Sequence, residues 1–289
     1  ETIGFLAETP DGEPAGTGTV GFFTARVGGD LRQCAYLNNL AVASDHRENG
    51  LAKRLATRRI DAAESRYDDC VIWANIQKGN EPSKAVAETW ADQFTYTTST
   101  LSLEPKSNPD STSAYDIREA RRDELSDVAE QVNDFYADAE LFSPYTAEKI
   151  AGRLDRTPVE EPIRTYLIAL DGDDIVAGAD VIDVYKAMYM AVESDGDVPP
   201  SFPDSGELRM RNIANPWFAD SPRDAARALV EHIQAHPGNA NRIALQSDPD
   251  NPTASLLLDD LGATRTMEYM TAIHGNVQPD DTRPIATPF

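Results

Sequence analysis

Strand-forming and helix-forming segments follow the same order twice along the 289-residue chain. The turn signals repeat with them, since Asp11-Gly12 before Ala15-Gly16 matches Asp171-Gly172 before Ala177-Gly178 at a spacing two residues longer. This alternation predicts an α/β fold (α+β) built from two copies of one unit. We expect a first copy at 1–103, a linker rich in Pro and Ser at 104–114, a second copy at 115–274 and a surface tail at 275–289. The first copy lacks the strand and the two helices that open the second.

The surface is expected to be acidic, because 49 Asp and Glu face 26 Lys and Arg, a formal charge of −23. The acids are scattered along the chain, so like-charge repulsion disfavours nucleic acid and anionic membranes as partners. Asp outnumbers Glu by 30 to 19, and only 6 of the bases are Lys. Such a surface suits molar salt, where charges are screened beyond roughly 3 Å, and we hypothesise a halophilic origin. The alternative is an ordinary acidic protein.

The cysteine content and the hydropathy indicate the compartment. Cys34 and Cys70 are too few for a disulfide framework or a Cys-rich zinc site. The chain opens without a basic-then-apolar leader, and its apolar runs stay short of the ~18 residues that span a membrane. We therefore expect a soluble cytoplasmic protein without a metal site. The first residue is Glu1 rather than Met, as in a fragment of a longer protein.

Two familiar spacings lack the context that their chemistry needs. Gly16, Gly18 and Gly21 spell the dinucleotide fingerprint, but the next residues continue as a strand instead of opening a helix. These glycines therefore indicate a bulge or close packing. His232 and His236 lie four apart on a predicted helix without the adjacent Glu of a metalloprotease, and we interpret them as helix-surface residues.

The segment from Leu37 to Arg59 carries the chemical signal. A strand ends at Leu40-Ala41-Val42, a polar loop follows, and a helix runs from about Gly50 to Arg66. The first turn of a helix has unpaired N–H groups and a partial positive charge, and a glycine lets an anion approach the backbone. Between positions 47 and 59 five bases outnumber one acid, Glu48, which gives a local balance of +4 in an acidic chain. The loop is therefore a candidate phosphate site.

The strand followed by Arg47-x-x-Gly50-x-Ala52 at the helix start resembles motif A of the GNAT superfamily of acyl-CoA-dependent N-acetyltransferases. The resemblance extends from residue 3 through Phe94 and implies a tandem GNAT fold, with a mixed central sheet flanked by helices in each copy. It also implies acetyl-CoA as co-substrate, with its pyrophosphate on the loop and its pantetheine arm along the strand. The cofactor-binding residues so implied are Leu40, Ala41, Val42, Arg47, Glu48, Asn49, Gly50, Leu51, Ala52, Lys53 and Asn80.

The second copy departs from this pattern. Its corresponding segment, Asn215 to Asp224, lacks the motif and places Trp217 and Phe218 where a phosphate would bind. Asp220 and Asp224 would repel the phosphate. The later segment from Asn251 to Ala263 keeps the closing pattern of the family. We therefore predict a second GNAT-like copy with a degenerate cofactor loop, which is structural or forms a wall of the acceptor site.

The resemblance implies direct attack by the amine of a small molecule or peptide on the thioester. Many GNAT enzymes use a Glu on the strand as base and a Tyr on the later helix as acid. Here the strand offers Tyr36, Asn38 and Asn39, and the helix offers Thr89 and Trp90. Tyr36 and Asn38 are the catalytic candidates, with a water relay through Asn38 or a residue of the second copy left open. The alternative function is a non-catalytic acetyl-CoA-binding or sensing module, and the chain is a monomer of two repeats or a homodimer.

The halophilic hypothesis predicts stability that rises with salt. The melting temperature should increase between about 0.1 M and about 2 M KCl, because screening removes self-repulsion among the surface carboxylates. Scanning calorimetry measures it, with sucrose of equal osmolality as the control for solute exclusion. A melting temperature that stays unchanged down to the lowest KCl concentration would contradict the hypothesis.

Overall fold

The computed structural model of the chain describes residues 1–106, 113–188, 191–192, 206–219, 223–248, 251–277 and 286. The chain divides into two compact units. Unit 1 contains Glu1–Thr97, Glu140–Ser143 and Glu268–Arg283, and unit 2 contains Thr98–Ala139, Pro144–Met267 and Pro284–Phe289. Positions 107–112 of the predicted linker, and all of the predicted tail beyond 277 except residue 286, lie outside the described residues.

The elements follow the predicted order. The strands are β1 (Thr2–Glu8), β2 (Pro14–Val27), β3 (Asp30–Val42), β4 (Cys70–Gln77), β5 (Gln93–Leu103), β6 (Asp116–Glu119), β7 (Arg164–Asp171), β8 (Asp174–Ile182), β9 (Ala191–Val192), β10 (Gly206–Glu207), β11 (Met210–Phe218), β12 (Arg242–Ser247) and β13 (Thr264–His274). The α-helices are α1 (Leu51–Arg66), α2 (Glu81–Ala87), α3 (Leu125–Phe135), α4 (Ala147–Leu154), α5 (Val184–Ala187), α6 (Arg223–Ala235) and α7 (Pro252–Ser255). Short 3-10 turns occur at Ser44–His46 and Arg122–Glu124, and a π-helical turn covers Leu256–Asp260.

Local chemistry explains the hairpin and the helix of the motif. Gly12 adopts φ +85° in the turn between β1 and β2 and donates to the Thr9 carbonyl at 2.9 Å. Glycine is favoured at a turn position with a left-handed backbone, so the chain reverses there and β1 and β2 form a hairpin. Helix α1 buries Leu55, Ala56 and Ala63 at helical spacing, and Ala63 packs into a cluster on the sheet. The motif therefore ends a strand on one side and opens an anchored helix on the other.

The sheet of unit 1 runs in the order β1-β2-β3-β4-β13. Its pairs are antiparallel except β3 and β4, which are parallel. The partner of β4 comes from the end of the chain, where residues 269–274 of β13 pair with residues 72–77. The last strand of the second sequence copy therefore completes the sheet of unit 1.

The sheet of unit 2 runs in the order β5-β12-β11-β8-β7-β6 and is again antiparallel except for one parallel pair, β11 and β12. Residues 99–103 of β5, which follow α2 in sequence, pair with β12 in this unit. Helix α6 packs Leu229 and Ile233 against the buried face of the sheet. The two sequence copies thus exchange a strand, and each unit repeats the mixed sheet with one parallel pair.

The glycines of the dinucleotide-like spacing serve packing, as predicted. Strand β2 runs without interruption through Gly16, Gly18 and Gly21. A Cβ at Gly16 would lie 3.0 Å from the Ala41 carbonyl oxygen, and one at Gly18 would lie 3.1 Å from the Arg59 side chain. The register of β2 and β3 also shifts between Thr17 and Thr19. Small residues here let a bulged strand and an inward-turned arginine lie against β2.

Candidate functional site

The parallel strands of unit 1 part before they end. Their paired register stops at Tyr36 and Trp73, although β3 continues to Val42 and β4 to Gln77. The diverging ends border a cleft of about 260 Å³. Its polar lining is Asn38, Asn39, Arg59, Asn75, Gln77, Asn80, Ser83 and Tyr269, and its apolar lining is Leu37, Leu40, Ala74, Ile76, Val86, Ala87 and Trp90. An open strand edge beside a concave site can bind an extended ligand through its backbone groups.

A bulge in β3 shapes this cleft. Asn39 has φ +53°, and the register with β2 shifts at this point. The Asn38 side chain accepts a hydrogen bond from the Thr19 hydroxyl, and the Asn39 amide donates to the same hydroxyl at 3.4 Å. Asn tolerates a left-handed backbone better than most residues. The bulge redirects the end of β3, so Asn38, Asn39 and Leu40 in succession border the cleft.

The loop before α1 presents unpaired backbone donors. Gly50 caps the helix with φ +72°, makes no side-chain cap and leaves open space where a Cβ would stand. Among the described residues, the backbone N–H groups of positions 48–53 have no hydrogen-bond acceptor. Arg47 Nε donates to the Val42 carbonyl at 3.2 Å and holds the loop against the end of β3. Six consecutive unpaired amides at a helix N-terminus have the geometry to hold an anion.

Four exposed bases accompany these amides: Arg47, Lys53, Arg54 and Arg58. Within the described part of the chain they form no ion pair. Arg59, the fifth base between positions 47 and 59, does not belong to this exposed group. Arg59 is only 3% exposed, because its position on α1 faces the sheet and Gly18 leaves room for its side chain. The outward balance over this segment is four bases against Glu48, or +3.

Arg59 makes three hydrogen bonds inside unit 1. Its Nε donates to the Leu55 carbonyl at 3.2 Å, and its Nη1 donates to the carbonyls of Asn38 at 3.1 Å and Thr19 at 3.4 Å. Those last two carbonyls flank the bulge. Burial lowers the pKa of the Arg59 guanidinium to about 10, so the group stays charged at neutral pH.

The two catalytic candidates have different surroundings. Asn38 lines the cleft, whereas Tyr36 lies outside its lining and packs against Trp73, with ring centroids 6.2 Å apart. Burial raises the pKa of the Tyr36 hydroxyl to about 12, and the neighbouring Tyr269 adds to the increase. A phenol with this pKa remains protonated at neutral pH and is a poor base. Asn80, predicted to bind the cofactor, caps α2 by accepting from the Ser83 amide at 3.1 Å and lines the cleft.

The lining residues that sequence reasoning missed include Arg59, Asn75 and Tyr269. Asn75 lies on a strand that reads as fully buried, and a polar residue within such a run is a signal that could have found it. Tyr269 reaches the cleft because β13 pairs with β4, with Tyr269 opposite Gln77. Nothing local in the sequence indicates this pairing. The Trp90 that stands where a Tyr was expected lines the cleft.

Unit 2 contains the same break in pairing, but the space is filled. The parallel register of β11 and β12 ends at Asn212 and Ala244, and Asn215 has φ +43°. The hydroxyl of Tyr136, the C-cap residue of α3, donates to the Pro216 carbonyl at 2.8 Å. The cavity here is about 10 Å³ and is lined also by Ala286. A buried tyrosine thus occupies the region that is open in unit 1.

The predicted position of the second cofactor loop is wrong at its start. Asn215 to Phe218 belong to strand β11 instead of a loop. Trp217 is buried and donates to the Tyr166 hydroxyl at 2.9 Å, in the space left by Gly178. The bulge at Asn215 explains the difference, because it accommodates Pro216 within a strand. Positions 220–222 of the predicted loop lie outside the described residues.

The described residues contain no group of three or more His, Cys, Asp or Glu arranged to hold a metal ion. They also include no helix long and apolar enough to cross a membrane. The rings of His232 and His236 stack with centroids 4.2 Å apart, and the His236 Nδ1 lies 2.9 Å from the His232 carbonyl oxygen.

Residues 3–91 match the model of the acetyltransferase (GNAT) family. The whole chain is similar to a GCN5-related N-acetyltransferase from Sphaerobacter thermophilus, with 15% identity, a TM-score of 0.59, and 96% of this chain and 82% of that chain covered. The chain has the GNAT fold. The GNAT-fold class predicted from the sequence is confirmed.

Other GNAT-fold structures resemble the chain as well. A structure of Saccharomyces cerevisiae N-myristoyltransferase with bound myristoyl-CoA and inhibitors matches with 9% identity, a TM-score of 0.66, and coverage of 97% of this chain and 72% of that one. A GCN5-related N-acetyltransferase from Kribbella flavida matches with 15% identity and a TM-score of 0.52, over 92% of this chain and 59% of that one. The chain spans about 60% of the length of the first structures that it matches. A search of the curated proteins by sequence found no match.

The GNAT family match covers the candidate site almost entirely. It includes β1 to β4, α1 and α2, with the unpaired amides of the loop and all cleft residues except Tyr269. Strands β5 to β13 lie beyond it. The family signature and the open cleft therefore coincide in unit 1.

Proposed function

We propose that the chain is an acyl-CoA-dependent N-acyltransferase, with acetyl-CoA as donor and its active centre in the cleft of unit 1. One observation carries the proposal: six unpaired amides at the start of α1 lie next in sequence to a strand whose pairing stops early. The first feature suits a diphosphate, and the second suits an extended amide-bearing arm. Cytoplasmic location and a small-molecule or peptide amine as acceptor belong to the same proposal.

The phosphates of the donor bind the loop. The amides of positions 48–53 surround the diphosphate, and the exposed bases Arg47, Lys53, Arg54 and Arg58 add favourable charge in a chain of net charge −23. The backbone of Leu40, Ala41 and Val42 pairs with the pantetheine arm along the open edge of β3. The thioester then lies in the cleft near Asn38.

The acceptor amine attacks the thioester carbonyl, and the carbon–sulfur bond breaks. The developing oxyanion is stabilised by a backbone N–H near Val42. No described residue in the lining is a carboxylate or a histidine, so the amine is deprotonated through water beside Asn38. Tyr269 lines the cleft, and we assign its hydroxyl as proton donor to the leaving thiolate. This residue comes from the second sequence copy, one of the two alternatives left open by the sequence.

The second copy has a structural role in this proposal. Residues 1–103 form the catalytic copy, and residues 115–274 form a GNAT-like copy that supplies β13 and has its own cleft filled by Tyr136. The lack of a carboxylate or histidine in the lining of the unit 1 cleft favours a second candidate function, a non-catalytic acyl-CoA-binding or sensing module. Both functions share the donor site and differ in turnover.

A substitution at Gly50 tests the donor site. Gly50→Val should raise the dissociation constant for acetyl-CoA by about 100-fold, because the side chain occupies the space at the amides and the position requires a left-handed backbone. Calorimetric titration measures the constant. The control is Gly12→Val, which carries the same backbone strain at φ +85° with open space around its Cβ, and which should bind as the parent does. Unchanged affinity in Gly50→Val would refute the site assignment.

The pH dependence tests the proton path. With primary amines of different pKa as acceptors, the logarithm of kcat/KM should rise with pH and level off at the pKa of each amine, because the lining offers no titrating base. Tyr36→Phe should change kcat by less than about twofold, since that phenol stays protonated and outside the cleft. CoA release measures the rates.

A pH-profile midpoint that is the same for all amines would indicate a base on the enzyme and would contradict the mechanism. Binding of acetyl-CoA without turnover on any amine would favour the sensing module.

A further inference from the structure

The wall of the unit 1 cleft holds a buried cation without a counter-ion. Arg59 is 3% exposed and lines the cleft, yet it forms no ion pair with any described residue. Its Nε and Nη1 donate to three backbone carbonyls, while its Nη2 has no hydrogen-bond acceptor in the described part of the chain. Buried charges in proteins are as a rule paired or fully hydrogen-bonded. Here one edge of the guanidinium lacks a partner.

The rest of the lining contains no acid. The chain carries 49 Asp and Glu, but the described residues around this cleft are apolar, amide or hydroxyl side chains apart from Arg59. The guanidinium remains positive at neutral pH, because its pKa is about 10. A cleft with one desolvated cation and no carboxylate attracts an anionic group.

Backbone support alone does not explain an arginine at this position. The carbonyls of Thr19 and Asn38 flank the bulge of β3, and both accept from Nη1, although the Asn38 carbonyl also accepts from the Thr19 hydroxyl at 3.4 Å. A neutral amide side chain can donate to carbonyls without the cost of a buried charge. Arginine adds what an amide lacks, namely further N–H donors such as Nη2 and a positive charge. The planar guanidinium also matches the geometry of a carboxylate.

We infer that Arg59 binds a carboxylate carried by a substrate of this cleft through its Nη2 group. The inference rests on the proposed function and specifies its substrate class. The phosphates of the donor are assigned to the loop at positions 48–53, so the carboxylate belongs either to the acyl group or to the acceptor. The two sources are a short dicarboxylic acyl thioester and an α-amino acid, and both present the same group to Arg59. The cleft volume of about 260 Å³ suits small groups of this kind.

Paired ligands that differ by one carboxylate test the inference on the intact chain. The acyl arm compares succinyl-CoA with acetyl-CoA, and the acceptor arm compares an α-amino acid with the amine that lacks its carboxylate, in the presence of acetyl-CoA. Dissociation constants come from calorimetry and kcat/KM from CoA release. One arm should show a preference for the carboxylate of about 10- to 100-fold, the value of a charged hydrogen bond in a desolvated site. The arm that shows it identifies the source.

Variants of Arg59 distinguish carboxylate binding from support of the β3 bulge. Arg59→Met should reduce the preference ratio to about one, whereas Arg59→Lys, which keeps the charge, should retain part of it. The matched control is Arg32→Met, which removes one positive charge from the same unit at a surface pair with Asp69. It should keep the full ratio.

Two results for the carboxylate preference would overturn the inference. A parent chain that shows no carboxylate preference in either arm refutes it without any variant. A preference that survives Arg59→Met refutes it as well. Failure of the proposed function would look different: acetyl-CoA would not bind, or no ligand pair would give turnover. The ratio of dissociation constants tests Arg59 separately, because it does not require turnover.

Discussion

Pairing between β3 and β4 stops at Tyr36 and Trp73, and the site depends on this early end. Two strands that continue without pairing leave backbone groups unsatisfied and space between them. The bulge at Asn39 turns β3 away, the Arg59 guanidinium serves the carbonyls of Asn38 and Thr19, and Gly18 leaves room for that side chain. The loop with the unpaired amides follows directly from the displaced strand end. The shape of the cleft therefore depends on these residues together.

Unit 2 shows what happens when the same gap is closed. It also has a parallel pair that ends early and a left-handed Asn, but Tyr136 at the end of α3 donates to the Pro216 carbonyl, and Trp217 is buried against Gly178. Burial of large aromatic side chains is favourable, so filling the gap stabilises unit 2. The first copy leaves its gap open, which is consistent with binding there.

Local signals made much of the fold and of the loop predictable from sequence. The turn at Gly12, the helix that Gly50 caps and the unpaired amides before it depend on residues close together in the chain. The inward turn of Arg59 escaped prediction, because a charged residue on an amphipathic helix is ordinarily exposed and only the partner glycine on β2 makes room for it. Tyr269 escaped because strand pairing across nearly two hundred residues has no local signature. The strand course of Asn215 to Phe218 escaped because a proline suggests a loop unless the bulge is known.

Hydrogen–deuterium exchange measured by mass spectrometry tests the central claim, that the donor binds unpaired amides in unit 1 alone. Amides without acceptors exchange rapidly, so peptides covering residues 48–53 should exchange fast in the free chain and slowly with saturating acetyl-CoA. Peptides covering β11, residues 210–218, should exchange at the same rate in both conditions. Unaltered exchange at 48–53, or protection that appears at 210–218 instead, would contradict the account.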